Sequence, residues 1–513
     1  MRQLLFVSLL TTGCSLVYNP NNLPAPVDAP ADAEVPYDAD PGALALSSVF
    51  PGTIDEGRGT GGSRAAVIVI NGTNIVSDGL AVTIAPTDGS SAMLTMVDAP
   101  IAAADHNHLA FTLAAEVDGT LAEGVVVPLT VTVTQTGADP QTIDGISLVG
   151  HEELKPSDVV SGAIDISTLK PMYSSVDLLP DTGDQAPTVT FTGTSALKGA
   201  VIIAAGSIRV GELHADGSAG TSSAAGKAAP GSSCGAGGAA GNQGGCSSSG
   251  GGSGVTSGGG GGGGGAMTGA QGFVGGSQTA GTGGAAGVPA TAPTIVDLTA
   301  AVAGGGGGGG SGGLGGGSNG GGGGGAIVLR AGGTITAGAI SANGGAGQSS
   351  NTVGGGGGGA GGIVALIAGT TIDATPSAIG GAGGTCTSGI PAKSCNGGDG
   401  SVGVVRWDSP TSTLPTGAHR GPSFLTTPLT ATSQPTITAI GNAGDAYSGY
   451  DGGDDGDDVP LTAGTFAASS GHATLDTHLA PGYNVVCVYL GSSPTPSLAS
   501  TCVDIAYLPD FGM

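Results

Sequence analysis

Between Leu46 and Val149 short runs of aliphatic and β-branched residues alternate with polar turns. Ala66-Val67-Ile68-Val69-Ile70 is followed by Asn71-Gly72, and then come Leu80–Ile84, His108–Leu113 and Val127–Val133. Short strands at this spacing predict a β-sandwich over residues 44–150, with Asn71-Gly72 as a turn. Between about Ser161 and Ser409 the pattern becomes repetitive. Gly199–Ile208, ending Leu213-His214-Ala215-Asp216-Gly217, aligns with Gly325–Ile335, ending Ile340-Ser341-Ala342-Asn343-Gly344. Both align with Gly361–Ile372, ending Ile379-Gly380-Gly381, and Gly400–Arg406 repeats the opening strand alone. Apolar positions in fixed columns over roughly 22 residues are what the stacked coils of a β-solenoid require. One column is then Ile208, Ile335 and Ile372, and a second is Leu213, Ile340 and Ile379. Gly217, Gly344 and Gly381 fall near the corners, with Asp216 and Asn343 as turn residues beside them. Residues 155–410 are therefore expected to form a short parallel β-helix or a related layered sheet. A Pro/Gly/Thr stretch within 411–430 reads as a linker. Pro435–Ile440, Tyr483–Leu490 and Cys502–Tyr507 predict a small C-terminal β-sandwich over 431–513. Helix-forming stretches are almost absent, so the fold class is all-β.

Composition complicates the middle region. Of 513 residues 106 are glycine, well above the usual ~7%. Pure glycine runs stand at 258–265, 304–310, 320–325 and 354–359, the first three in or beside an insert of about 218–324. Only Lys227 and Asp297 carry charge between Ser218 and Leu329. Two readings stay open for these runs. One is a flexible, solvated linker. The other is extended helices of three residues per turn that pack through Cα–H···O contacts, opposed by the backbone entropy glycine loses on ordering. The tract is similar in composition to the glycine-rich domains of certain animal receptor tyrosine kinases. No run ends in Gly-Lys-Ser/Thr, so none reads as a phosphate loop.

The first residues place one positive charge before the largely apolar Leu4–Leu10, too short to span a bilayer but suited to a secretory signal. Leu10-Thr11-Thr12-Gly13-Cys14-Ser15 resembles the lipobox of bacterial lipoproteins. Residues 1–14 thus read as a lipoprotein signal peptide and lipobox, and the resemblance implies cleavage before Cys14, lipid on that cysteine as the new first residue, and a membrane as partner, with Ser15 matching outer-membrane sorting. Thr11 stands where the family prefers leucine. Residues 15–43, with six prolines among Asp and Ala, read as an extended spacer. The six other cysteines fall into close pairs, Cys234/Cys246, Cys386/Cys395 and Cys487/Cys502, which fits disulfides in an oxidising compartment. Ser47–Gly52 followed by Ile68-Val69-Ile70-Asn71-Gly72-Thr73-Asn74 resembles the IPT/TIG group of immunoglobulin-like domains. That resemblance implies a sandwich used as a spacer, an adhesion module or a carbohydrate-associated module.

Charge and motifs narrow the function. With 38 acidic against 12 basic residues the net charge is −26, which repels phosphate backbones and argues against nucleic acid as a partner. Asp451, Asp454, Asp455, Asp457 and Asp458 form a dense acidic run. It reads either as a solvated loop or as ligands for Ca²⁺, at the weak affinity of extracellular sites and without EF-hand spacing. His106 and His108 read as turn and strand residues rather than a metal pair, and His472 and His478 near Asp476 as exposed polar residues. Arg209, Glu212, His214, Asp216, Arg330 and Asp373 are too scattered along the repeats to name an acid and a base. No catalytic residue is assigned and no cofactor is required. The expected protein is a non-enzymatic, lipid-anchored molecule of the outer membrane, cell surface or periplasm. Its role is structural, adhesive or surface-binding, with a glycan or a surface protein as partner. The alternatives are a polysaccharide-acting β-helix lyase or hydrolase, or a carbohydrate-binding surface module.

Overall fold

The computed structural model of the chain describes residues 43–56, 66–87, 94–114, 121–179, 187–193, 199–230, 232–234, 303–305, 318–351, 354–386, 396–453, 459–492 and 501–510. Nearly all of the regular structure is strand, and Pro156–Asp158 and Ile166–Thr168 are single 3-10 turns. Among the described residues no helix is long and apolar enough to cross a membrane.

Nine strands build the first sandwich: β1 (Ala45–Phe50), β2 (Thr53–Asp55), β3 (Ala66–Thr73), β4 (Ala81–Pro86), β5 (Thr95–Met96), β6 (Ile101–Ala102), β7 (His108–Ala114), β8 (Val126–Thr134) and β9 (Gln141–Val149). One sheet runs β1-β3-β7-β5 with β6 also on β7, and the other runs β2-β9-β8-β4. Pro51-Gly52 carries the chain from the first sheet to the second. Alternate residues of each sheet point inward, so Ile68, Ile70, Leu109 and Phe111 meet Leu129, Val131, Ile146 and Leu148. The turn expected at Asn71-Gly72 is not there, because β3 continues to Thr73 with Asn71 opposite His108. Gly72 instead permits a close approach, since a Cβ there would lie 2.3 Å from the Ala45 carbonyl oxygen. The chain turns at Asn74, which takes a φ of 57°.

The second region is a parallel solenoid. Its strands are β10 (Ala163–Asp165), β11 (Val176–Asp177), β12 (Thr188–Thr192), β13 (Ala200–Ala204), β14 (Ile208–Val210), β15 (Glu212–His214), β16 (Ser232–Cys234), β17 (Ala303–Gly305), β18 (Ala326–Ala331), β19 (Ile335–Ser341), β20 (Ile363–Ala368), β21 (Ile372–Ser377), β22 (Val404–Asp408) and β23 (His419–Arg420). Sheet one runs β13-β18-β20-β22-β23. Sheet two runs β10-β12-β15-β19-β14-β11, with β21 on the free side of β19. β16 and β17 pair with each other in parallel. The coil interior holds Ile202, Leu213, Ile327, Leu329, Ile340, Val364, Leu366 and Trp407.

The expected Ile208–Ile335–Ile372 column is present, and Leu213 faces Ile340 as expected. Ile379 does not complete the second column. A register shift between Thr336 and Ala339 sets Ile340 beside Pro376, and Ile379 is 59% exposed. The coil is also longer than the 22-residue motif. Ile327 pairs with Val364 and Val364 with Val405, so successive coils take 37 and 41 residues. The difference is glycine. The described runs do not interrupt the coils but form a third part of each, an arm that leaves sheet two and returns to sheet one.

Outgoing segments 215–221, 342–350 and 378–385 lie beside returning segments 224–230, 318–325, 354–362 and 396–403. Their backbones are bonded at every third residue. Within the outgoing layer Gly217 and Gly220 N–H donate to the Asn343 and Ala346 carbonyls (2.8 and 2.9 Å), and Gly344 and Gly347 donate to those of Ile379 and Ala382 (both 2.9 Å). Within the returning layer Gly321 donates to Gly357, and Gly358 to Gly398 (both 2.9 Å). Antiparallel bonds join the layers, among them Gly345 to Gly322 (2.8 Å), Gly362 to Ala342 (2.6 Å) and Gly381 to Gly359 (2.7 Å). This three-residue recurrence is that of an extended threefold helix. The described arms are therefore packed, and N–H···O bonds join them. Glycine is required for steric reasons, because a Cβ on Gly362 would sit 1.8 Å from the Gly325 oxygen.

The C-terminal module comprises β24 (Ser423–Thr426), β25 (Thr430–Ala431), β26 (Ile437–Ile440), β27 (Ala446–Gly453), β28 (Val459–Pro460), β29 (Gly464–Thr465), β30 (His472–Leu475), β31 (Gly482–Leu490) and β32 (Thr501–Tyr507). Its sheets, β24-β26-β30 and β25-β32-β31-β27-β28, enclose Ile437, Phe466, Leu475, Val486, Val488 and Ile505. Cys487 and Cys502 stand opposite each other in β31 and β32 and are joined by a disulfide. Residues 411–430 are not a free linker. β23 lies on β22, β24 and β25 belong to the module, and Arg420 binds the carbonyls of Ser409 and Ser412 (2.9 and 3.2 Å). The module also packs on the first sandwich. Val67, Val69 and Ala110 meet Leu429, Tyr483, Ala506 and Leu508, and the Phe50 and Tyr483 rings stack.

Candidate functional site

The outward face of solenoid sheet two carries the densest set of chemically competent groups among the described residues. Strand alternation turns Leu213 and Ala215 into the core and leaves Glu212, His214 and Asp216 facing out. The next coil adds Ser341 from the end of β19. His214 Nδ1 lies 2.6 Å from Ser341 Oγ and 3.3 Å from Asp216 Oδ2, while Nε2 lies 3.4 Å from Glu212 Oε2. Ser341 Oγ donates to Asp216 Oδ2 (2.7 Å), and Thr188 Oγ donates to Glu212 (2.9 Å). The Thr188 hydroxyl first, and then His214, hold the Glu212 carboxyl below its ordinary range.

A serine, an imidazole and two carboxylates invite a nucleophilic reading, but the hydrogen-bond directions give them another job. Asp216 Oδ1 also accepts the Asn343 N–H (2.6 Å). One coil on, Asn343 Oδ1 accepts from Ser377 Oγ (2.8 Å) and from the Ile379 N–H (2.9 Å). Asp216 and Asn343 therefore repeat one role, a side chain that ties each corner to the next coil. Ser341 and Ser377 are its matching donors. Ser341 is only 5% exposed, with its hydroxyl turned toward Asp216. The corner expected at Asp216 and Asn343 is present, and its cross-coil ladder is the part that was missed. The signal lay in the alignment, which puts His214 over Ser341 in the same column.

The other charged repeat residues do not converge. Arg209 pairs with Asp177 (2.8 Å) on sheet two. Asp373 is exposed on β21, and Arg330 stands on the opposite face of the coil wall, on β18. A second polar cluster, with no counterpart in the sequence reading, closes the solenoid. Arg406 and Asp408 are fully buried and paired, with Arg406 Nε 2.8 Å from Asp408 Oδ2. Burial pushes the Asp408 carboxyl up, against the pull of Arg406 and the Gly421 N–H.

Of the acidic run, Asp451 is buried in β27, and its Oδ2 accepts the His478 N–H (2.7 Å). Asp454, Asp455, Asp457 and Asp458 lie outside the described residues, as do Cys14, Cys246 and Cys395. Cys386 takes part in a disulfide, and of Cys234 only the backbone is described. His108 opens β7 with Nδ1 2.6 Å from Asp105, and His106 occupies the turn before it. Among the described residues no three His, Cys, Asp or Glu side chains are grouped to hold a metal ion. Comparison with known proteins found no matching family model, no similar curated protein and no similar solved structure.

Proposed function

We propose that the chain is a non-enzymatic cell-surface protein, held to an outer membrane by lipid on Cys14 and serving as an adhesive or structural display body. Its first sandwich is an IPT/TIG-like spacer on this reading. The observation that supports it best is the outward face of the outgoing glycine layer. Asn343, Ala346 and Ser349 stand at every third residue, and Ile379, Ala382 and Thr385 repeat that spacing on the neighbouring segment. At 3.1 Å per residue this sets side chains roughly 9 Å apart on a backbone-bonded support. Such a surface suits broad contact with a glycan or a surface protein. The Cys487–Cys502 disulfide fits an oxidising compartment. A second reading, a polysaccharide lyase or hydrolase, draws on the Glu212–His214–Asp216 cluster, whose exposed carboxylates share one imidazole.

The test is expression of the full chain and of Cys14→Ala in a bacterial host with radiolabelled palmitate. The unaltered chain takes up label and fractionates with outer membrane, while the variant is unlabelled and released. A glycan array and a reducing-end assay on the same material then separate the two roles. Binding without product supports display. Product formation abolished by Glu212→Gln or Asp216→Asn supports the enzyme instead. Recovery of the unaltered chain from the cytosol with free thiols would sink both.

A further inference from the structure

The two glycine layers grow by one rule. In the outgoing layer the N–H groups of Gly217 and Gly220 donate one coil forward, and those of Gly344 and Gly347 repeat the step. The next donors in that row are Gly380 and Gly383. In the returning layer Gly321 and Gly324 donate forward, then Gly358 and Gly361. The next donors there are Asp399 and Val402. The described residues supply no further coil, so these N–H groups lie on the growing edge of the array. One of them is satisfied from within the same coil, because Gly383 N–H donates to Asp399 Oδ1 at 2.7 Å. That carboxylate takes the place that a carbonyl of a following segment would hold.

The sheets end in the same manner at this coil. The Ile372 N–H donates to Ser412 Oγ (2.6 Å), and the Thr370 carbonyl accepts from Ser409 Oγ (2.9 Å) and Thr411 Oγ (2.8 Å). Pro376 removes an N–H from the open side of β21, and Asp373 adds an exposed charge there. β22 is covered by β23. Among the described residues two donors of the outgoing edge have side-chain caps, Gly383 from Asp399 and Cys386, three residues on, from Asn396 Oδ1 (2.9 Å).

We infer that Asp399 is an end cap, a residue that stops the glycine layers from pairing with the glycine arm of a second copy of this chain. Two properties serve that role. Its oxygen occupies the Gly383 donor, and its exposed charge would be buried without a partner if another segment docked. The partner it excludes has glycine at every third position, because any Cβ at the corresponding inner positions meets backbone.

The experiment uses the full chain with Asp399→Gly and Asp399→Asn, read by sedimentation velocity across a concentration series and by amide exchange at Gly383. Asn retains the acceptor but not the charge, so Asp399→Asn is expected to fall between the unaltered chain and Asp399→Gly in both readouts. Asp399→Gly is expected to speed exchange at Gly383 by about tenfold, the scale of one charge-assisted hydrogen bond, and to self-associate. Any of three results overturns the inference. They are Asp399→Gly that stays monomeric, exchange at Gly383 that does not change, or Asp399→Asn that associates as readily as Asp399→Gly.

Discussion

Leu329 and Gly324 lie five residues apart, and the same fold is held at these two points by opposite means. Around Leu329 the coil interior is filled by side chains, with Ile202, Ile327, Val364 and Leu366 excluding water between the sheets. Around Gly324 there is no side chain to pack, and neighbouring backbones approach until their peptide groups bond directly. Gly324 donates to the Ala360 carbonyl at 2.9 Å, and a Cβ on it would fall 2.2 Å from the Ala342 oxygen. In the coil interior a methyl group stabilises, and in the arm it is an obstruction. A glycine-rich composition is therefore no guide to disorder when the glycines recur in register with a neighbour that needs the same spacing.

The contrast can be broken first from the core side. Leu329→Ala leaves a cavity between the sheets and should destabilise the chain by about 2–5 kcal/mol in denaturant unfolding. Removal of carbon is what hurts there. Addition hurts in the arm: Gly362→Ala should cost about 1–3 kcal/mol, the usual penalty of overpacking, whereas Ala346→Gly on the exposed outer face should change stability little. If Gly362→Ala were as mild as Ala346→Gly, the arms would not be close-packed. The smallest effect comes from acid. The Glu212 carboxyl is held low by Thr188 and His214, and that of Asp476 by Thr462, so the folded chain binds fewer protons than the unfolded one between the two values. Their stabilisation is complete above the ordinary carboxylate range and disappears as pH falls through the lowered values. A pH series of thermal unfolding should show a shallow loss on that limb, absent in Glu212→Gln combined with Asp476→Asn.

Much of the architecture was legible because it rests on side-chain periodicity. The strands of both sandwiches and the Ile208–Ile335–Ile372 column follow from apolar spacing alone. What was misread has local causes. Ile379 lies beyond the end of β21, and Ile340 pairs with Pro376 three residues earlier, a register that matching apolar residues by eye could not reveal. Asn71-Gly72 has the composition of a turn, yet glycine there answers to the Ala45 carbonyl rather than to a positive φ. Residues 411–430 look like a spacer because their bonds are made through backbone, the hydroxyls of Thr411 and Ser412, and Arg420 rather than through apolar periodicity. The uninterrupted apolar runs of β3, β18 and β20 carried a further message. Val67 and Val69 are covered by the C-terminal module, and Val328 and Ala365 are buried on the outer side of sheet one. A strand that fails to alternate is buried on both faces. The polar ladder was half visible in the aligned His214 and Ser341, but its direction depends on which coil supplies the donor.

The arms also alter how the molecule responds to cold. Exposing hydrocarbon on unfolding raises the heat capacity by roughly 0.45 cal/mol/K per Å², whereas exposing peptide groups lowers it by roughly 0.26. The layers bury peptide and almost nothing else, so their melting adds little to the heat-capacity increment or subtracts from it. The dome of stability against temperature is flattened as a result. Chilling weakens apolar packing and leaves these backbone bonds largely untouched.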